Sequence, residues 1–215
     1  MERTTIEMNF FLHKTPRLAS AMFPDYRWRF EVTQKQIFLT FDDGPIPDVT
    51  DFVLDTLQNY QAKATFFCIG NNVVNNPAVF ERIMREGHAI GNHTYNHLRG
   101  WDVETNIYFK DFEDCRAVLP PTRLFRPPYG RIKNDQAKLI LSQNEIVMWD
   151  VLTGDYDPGL NPELILRKTL KHTTAGSIVL FHDSIKAAKN MCFVLPRFLD
   201  HFAEKGFTFE AIAQY

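Results

Sequence analysis

Seven short apolar, strand-forming runs punctuate the chain, at residues 37–41, 65–69, 89–91, 124–125, 146–149, 178–181 and 207–209, and segments of helical spacing separate them. This alternation is the strongest constraint on the fold. Strands that each give way to a helix build parallel sheets, because a parallel neighbour is reached only through a crossover. Residues 49–60 gather Phe52, Val53, Leu57 and Tyr60 on one side, and residues 77–86 open on Pro77 and are followed by Gly87, a start-and-stop pair. Residues 102–119, 133–142, 162–172 and 186–205 complete the helical set. Seven strands and six helices are too many for most small open sheets and fall one unit short of an eightfold barrel, which usually takes about 250 residues. The expected fold is α/β, an irregular (β/α) barrel of about seven parallel strands, with an open doubly wound sheet as the alternative. Residues 1–35, irregular and rich in aromatic and basic side chains ("FPDYRWRF"), read as a lead-in packed on the domain formed by residues 36–215.

The chain has 215 residues, 45% of them hydrophobic, enough apolar mass for one globular core. A net charge of −2 with no long run of one sign excludes the basic stripe that nucleic acid requires. Cys68, Cys115 and Cys192 have spacings that fit no zinc or redox motif, and they read as small buried hydrophobes. The longest apolar run near the start, residues 8–12, is interrupted by Asn9 and is too short for a signal-peptide core. No stretch approaches the roughly 18 apolar residues of a membrane span. The expected location is cytoplasmic, although a chain trimmed of an export signal would look the same.

The chemically capable residues follow the predicted strands. Asp42, Asp43 and Gly44 follow the first, residues 92–97 ("NHTYNH") the third, 126–130 ("RPPYG") the fourth, 150–157 ("DVLTGDYD") the fifth and 182–184 ("HDS") the sixth. In a β/α barrel these strand ends share the face that carries the active site. Two adjacent aspartates at a strand end repel one another, and a turn needs at most one of them. A cation removes the conflict: one carboxylate ligates it and the other stays free as a base. His93 and His97, four residues apart, point the same way on a helix or tight turn, as in zinc-binding pairs. With seven histidines in the chain such a pair alone decides little, but two imidazoles and a carboxylate leave positions open for water and substrate. His182 reads either as a strand-end histidine or as an acid/base group. Consecutive prolines in "RPPYG" stiffen a loop that can aim an N–H at an oxyanion.

Taken together, these segments resemble the polysaccharide deacetylases of the NodB-homology type, carbohydrate esterase family four, over about residues 36–210. "TFDDG" (40–44), "HTYNH" (93–97), "RPPYG" (126–130), "WDVLTGDY" (149–156) and "IVLFH" (178–182) stand in the order of that family's five motifs. The resemblance implies a deformed barrel and a divalent metal, zinc with cobalt or nickel as alternatives, held by Asp43, His93 and His97. It implies Asp42 as base, Arg126 orienting it, the Tyr129 N–H at the oxyanion, His182 as acid, and Leu180 lining the acetyl pocket, with Tyr129 and Tyr156 as further substrate-binding residues. The implied reaction removes N-acetyl groups from an amino-sugar glycan or oligosaccharide and releases acetate.

The fourth motif departs from the family pattern. Leu152 stands where an aspartate commonly partners the acid histidine, and Tyr156 replaces a tryptophan. Without that carboxylate the pKa of His182 is expected to be lower than in relatives, with Asp155, Asp150 or Asp183 as substitutes from another direction. Two alternatives stand beside this reading: a metal amidase of the same fold acting on a small cyclic amide or ureide, which Leu152 favours, and a catalytically impaired glycan-binding homologue, against which the intact metal ligands and base argue. Trp101, Tyr95 and Tyr156 read equally as sugar-stacking walls or as core.

Overall fold

A computed structural model describes residues 12–213. The reading of residues 8–12 as too short for a signal peptide falls almost entirely outside them, as does the first third of the lead-in. Eight parallel strands form one sheet: β1 (Gln36–Asp42), β2 (Thr65–Cys68), β3 (Ala89–Asn92), β4 (Leu124–Phe125), β5 (Glu145–Ile146), β6 (Val151–Leu152), β7 (Ile178–His182) and β8 (Thr208–Glu210). The order is β5-β4-β3-β2-β1-β7-β6, and β8 pairs with the start of β1. The helices are α1 (Arg17–Met22), α2 (Val49–Asn59), α3 (Gly70–Asn75), α4 (Pro77–Arg85), α5 (Thr105–Val118), α6 (Asn134–Leu141), α7 (Pro162–His172) and α8 (Ala188–Ala203). The result is a curled, incomplete barrel. Among the described residues, no helix is long and apolar enough to cross a membrane.

Alternation along β1 explains how the sheet carries both a core and a site. Ile37, Leu39 and Phe41 join the large cluster between sheet and helices, where Phe41 stacks with Phe66 and Phe181 at 5.1 and 5.7 Å. The intervening residues Phe38, Thr40 and Asp42 face the inside of the curl. Phe38 packs there with Phe67, Val147 and Ile178. A side chain four positions above an apolar plug therefore ends at the barrel mouth, and in β1 that side chain is the Asp42 carboxylate.

The lead-in spans the gap between the sheet's two ends. Lys14 bridges to Val151 of β6, Arg27 to Val147 just after β5, and Arg29 to Ser177. The Phe30 ring lies 4.1 Å from that of Phe38. Asn161 caps α7 by accepting from the N–H groups of Glu163 and Leu164, ahead of Pro162 at the first helical position.

Three features differ from the sequence reading. The eighth strand, β6, is two residues within the fourth motif and too short to leave an apolar run. The strand expected over residues 146–149 ends at Ile146. Beyond it, the carbonyls of Val147 and Met148 accept from the Arg126 guanidinium instead of a neighbouring strand. Helix α3 was not anticipated, because Gly70 and three asparagines give it little intrinsic propensity. Cys68 and Cys115 are buried as expected, but Cys192 is only half-buried.

Candidate metal centre and active site

Asp42 is the last residue of β1, and Asp43 follows it with φ 86°, a left-handed conformation that turns its carboxylate toward the barrel axis. The loop is clamped from three sides. Asn72 of α3 donates to the Asp43 carbonyl (2.7 Å) and Asn76 to that of Pro45 (3.1 Å). The buried Asp183 carboxylate accepts from the Gly44 N–H (3.0 Å) and the Thr50 hydroxyl (2.6 Å). Nothing in the sequence marked Asn72, Asn76 or Thr50 as part of the site: the two asparagines act on carbonyls about 30 residues away, and Thr50 on a carboxylate 133 residues away.

Arg126, at the end of β4, is fully buried beneath the cleft. Its guanidinium donates to Asp42 Oδ1 (2.7 Å), Thr40 Oγ1 (2.8 Å) and the carbonyls of Val147 and Met148 (2.9 and 2.7 Å), and it lies 4.1 Å over the Phe67 ring. Burial pulls its pKa down and Asp42 opposes that shift. Arg126 thus finds an acceptor on each side, while Asp42 keeps Oδ2 without a hydrogen bond among the described residues, 3.8 Å from His93 Nε2.

His93 and His97 lie on a turn, not a helix. Thr94 and His97 both adopt left-handed φ, 60° and 58°, and the Asp111 carboxylate accepts from the Asn96 N–H at 3.0 Å. His93 Nδ1 lies 2.7 Å from the Arg126 carbonyl. A carbonyl can only accept, so Nδ1 carries the proton and Nε2 presents its lone pair to the cleft. Burial pushes the His93 pKa down to about 4, outweighing the Asp42 charge, so the ring is neutral near pH 7. His97 Nε2 approaches Asp43 Oδ1 at 3.2 Å, and His93 Nε2 lies 3.8 Å from the same oxygen. Burial would raise the Asp43 carboxyl; the His97 hydrogen bond and the surrounding imidazoles overcome it and hold the carboxyl well below the usual range. One donor atom from each of Asp43, His93 and His97 falls within 4.8 Å of the others. Two neutral-capable imidazoles and an ionised carboxylate form a donor set that suits a divalent cation.

Across the cleft, His182 ends β7. Its Nδ1 lies 2.8 Å from Asp155 Oδ1, and its N–H donates to Asp155 Oδ2 at 2.8 Å. Asp155 is fully buried. Burial alone would lower the His182 pKa, but the Asp155 charge and hydrogen bond reverse the sign and raise it to about 9. The lowered pKa inferred from Leu152 is therefore wrong: the carboxylate arrives from three residues further along the chain. Asp150 cannot serve, because Lys14 and Ser177 engage it at 2.7 and 2.6 Å, and Asp183 is taken by the Gly44 loop.

Asp42, Asp43, His93, His97, Tyr129, Tyr156, Leu180 and His182 all line one cleft of about 530 Å³. Tyr129 has φ 59° within the turn Pro128–Gly130, and its exposed ring stands 4.6 Å from that of His97. The Tyr156 ring meets His182 edge-on at 5.0 Å. Of the other two aromatics, Tyr95 packs on the main core, and Trp101 is 49% exposed outside the cleft lining.

A sequence model described as polysaccharide deacetylase matches residues 30–149, more than half of the chain. The chain belongs to the polysaccharide deacetylase family. A peptidoglycan-N-acetylglucosamine deacetylase of Bacillus cereus is 34% identical over 195 residues, covering 87% of this chain and 91% of that protein. The peptidoglycan-N-acetylglucosamine deacetylase PgdA of Listeria monocytogenes is 39% identical over 156 residues, and this chain spans 33% of its length. A chitooligosaccharide deacetylase of Azorhizobium caulinodans is 35% identical over 168 residues, covering 72% of this chain and 77% of that protein. Among solved structures, a peptidoglycan N-acetylglucosamine deacetylase in complex with 4-naphthalen-1-yl-N-oxidanyl-benzamide superposes with a TM-score of 0.84 at 30% identity, covering 92% of this chain and 95% of that one. As a member of this family, the chain pairs the family fold with a carboxylate–histidine site at the sheet's C-terminal edge.

Proposed function

We propose that this polysaccharide deacetylase hydrolyses the N-acetyl groups of an amino-sugar glycan or oligosaccharide, using a divalent metal, zinc in preference to cobalt or nickel. Residues 36–215 form the catalytic unit and the lead-in braces its open side. When bound by Asp43, His93 and His97, the metal supplies Lewis acidity and lowers the pKa of water towards about 7. Asp42, oriented by the Arg126 guanidinium, accepts the proton of the attacking water. The Tyr129 N–H donates to the carbonyl oxygen as negative charge develops there; one such donor is typically worth about 3 kcal/mol. His182, kept protonated by Asp155, delivers a proton to the departing amide nitrogen, so that acetate and a free amine leave. Leu180 and Tyr156 enclose the acetyl methyl.

The observation that carries this reading is a base–arginine pair and a histidine–carboxylate pair facing each other across one three-donor site. Asp155 also removes the ground on which Leu152 favoured a small-molecule amidase. The test is acetate release from N-acetylglucosamine oligomers and peptidoglycan fragments by protein loaded with zinc, cobalt or nickel. Metal-dependent acetate release is expected; its absence from every glycan with every metal overturns the proposal.

A further inference from the structure

Between β5 and β6 the chain passes through five consecutive carbonyls, those of Ile146 to Asp150, and the lead-in takes three of them. The Arg27 N–H donates to Ile146 (2.8 Å), the Thr15 hydroxyl to Trp149 (2.7 Å) and the Thr15 N–H to Asp150 (2.9 Å). The other two, of Val147 and Met148, accept from the Arg126 guanidinium at 2.9 and 2.7 Å. The same stretch donates back: the Met148 N–H reaches the Arg27 carbonyl at 2.7 Å, and the Leu152 N–H that of His13 at 3.0 Å. A buried carbonyl must find a donor, so the placing of these donors fixes the path of residues 146–152.

That path matters to the cleft in two ways. Trp149 and Leu152 line it, and the guanidinium that rests on the Val147 and Met148 carbonyls also donates to Asp42 Oδ1 at 2.7 Å. None of the described lead-in residues lines the cleft itself. Covering a sheet edge would need only main-chain pairing. Here side chains join in, and on residues of the fourth motif. Lys14 Nζ lies 2.7 Å from the Asp150 carboxylate and donates to the His172 carbonyl at 3.2 Å, while the Ser177 hydroxyl donates to the same Asp150 oxygen at 2.6 Å. An exposed ion pair contributes little. This one holds a carboxylate that is 8% exposed, whose charge is left poorly answered without the lysine.

We propose that Lys14 and Thr15 are positioning residues for deacetylation: from outside the cleft they set its Trp149–Leu152 wall and, through the Val147 and Met148 carbonyls, the arginine that aims Asp42. This rests on the deacetylase reading and adds to it that the lead-in governs turnover as well as stability. Displacing a reacting group by about 1 Å from a distance can cost up to about a hundredfold in rate.

The experiment compares the metal-loaded wild type with K14M, T15V, the double variant K14M/T15V and the conservative K14R and T15S. The substrate is whichever N-acetylglucosamine oligomer or peptidoglycan fragment the wild type deacetylates fastest, at a temperature where circular dichroism shows every variant folded. The double variant is expected to lose about tenfold in kcat and to raise KM, and K14R and T15S recover most of both. Metal affinity, by chelator competition, is expected to stay at the wild-type value, because none of these hydrogen bonds involves Asp43, His93 or His97. Unchanged kcat and KM in the folded double variant overturn the proposal and leave the lead-in a brace. A fall in metal affinity as large as the fall in kcat overturns it too, by routing the effect through the ligands. If the wild type releases no acetate from any glycan, the deacetylase reading fails instead. Fluorine NMR of fluorotryptophan-labelled protein then decides the positioning, with Trp28, Trp101 and Trp149 assigned by exchange for Phe. The Trp149 line is expected to shift in the double variant while that of Trp101 stays, and an unmoved Trp149 line overturns the proposal.

Discussion

His182 Nδ1 and Asp155 Oδ1 are 2.8 Å apart, joined by a carboxylate buried beneath the cleft. The pair decides in which pH range the histidine can act as an acid. With its pKa raised to about 9, His182 stays protonated through neutrality, and turnover is lost as pH rises through about 9. Replacing Asp155 with Asn removes the largest raising contributions and leaves burial acting downward against the weaker pull of the Asp43 and Asp42 charges. The alkaline limb of kcat in D155N therefore moves to lower pH. At pH 8 the rate falls by about a hundredfold, the smaller end of what a positioned proton donor contributes. A kcat–pH profile of both proteins measures this; an unmoved limb would separate His182 from the acid role.

The same pair has a signature in folding. A group whose folded pKa lies above its unfolded value stabilises fully below the unfolded value, and that contribution disappears as pH rises through the folded one. For His182 the window runs from about pH 6.5 to about pH 9. The difference in urea midpoint between wild type and D155N is expected to be largest below pH 6.5 and to close by about pH 10. Urea titrations across that range, on the metal-free proteins, read it directly.

Arg126 and Asp42 form the other buried pair, at 2.7 Å. Arg126→Met leaves the Asp42 carboxylate without a counter-charge and two strand-end carbonyls without donors. Breaking such a pair typically costs about 3–5 kcal/mol, a large share of a domain's total stability. Arg126→Lys keeps a charge but cannot reach four acceptors at once, so its loss is smaller while its activity still falls. Denaturant unfolding of both variants orders them; equal stability of wild type and R126M would deny the pair its structural role.

Asp42 and Asp43 divide the work that two adjacent carboxylates make available. Asp42→Asn is expected to retain bound metal and lose acetate release by about 10²–10⁴-fold, the span of general-base contributions. His93→Ala removes the neutral Nε2 donor and is expected to lose the metal itself. Metal content by mass spectrometry, alongside the acetate assay, separates the two effects. Loss of metal from D42N would mean that both aspartates ligate.

Much of this site was readable because its chemistry sits in five short strings at strand ends, and a parallel β/α sheet brings strand ends together whatever the loops between them. What the sequence hid acts across long stretches of chain. Asn72 and Asn76 grip carbonyls, Thr50 grips the Asp183 carboxylate, and none of these contacts leaves a spacing pattern. The two-residue β6 was hidden for a related reason: its strand character comes from pairing with β7 and Lys14, not from an apolar run. Leu152 misled because the aspartate expected at one position is supplied at another on the same turn of chain, with the same contact to the histidine.

The clamp on the Asp43 loop gives the last prediction. Gly44 sits against the Asp183 carboxylate so closely that a β-carbon there would overlap it. Gly44→Ala must therefore push Asp183 away from the Gly44 N–H or shift the loop that carries Asp43. Either outcome moves a ligand whose partners lie 3.2 and 3.8 Å away, and a metal site tolerates little such displacement. A metal affinity weaker by about 10–100-fold is expected, the range found when groups supporting a ligand are lost. Thr50→Val relieves no overlap but deprives Asp183 of its hydroxyl donor, so it should weaken metal binding less than G44A does and lower the unfolding midpoint. Competition titrations with a chromogenic chelator measure both. If G44A binds metal as tightly as the wild type, the loop is not set by this contact.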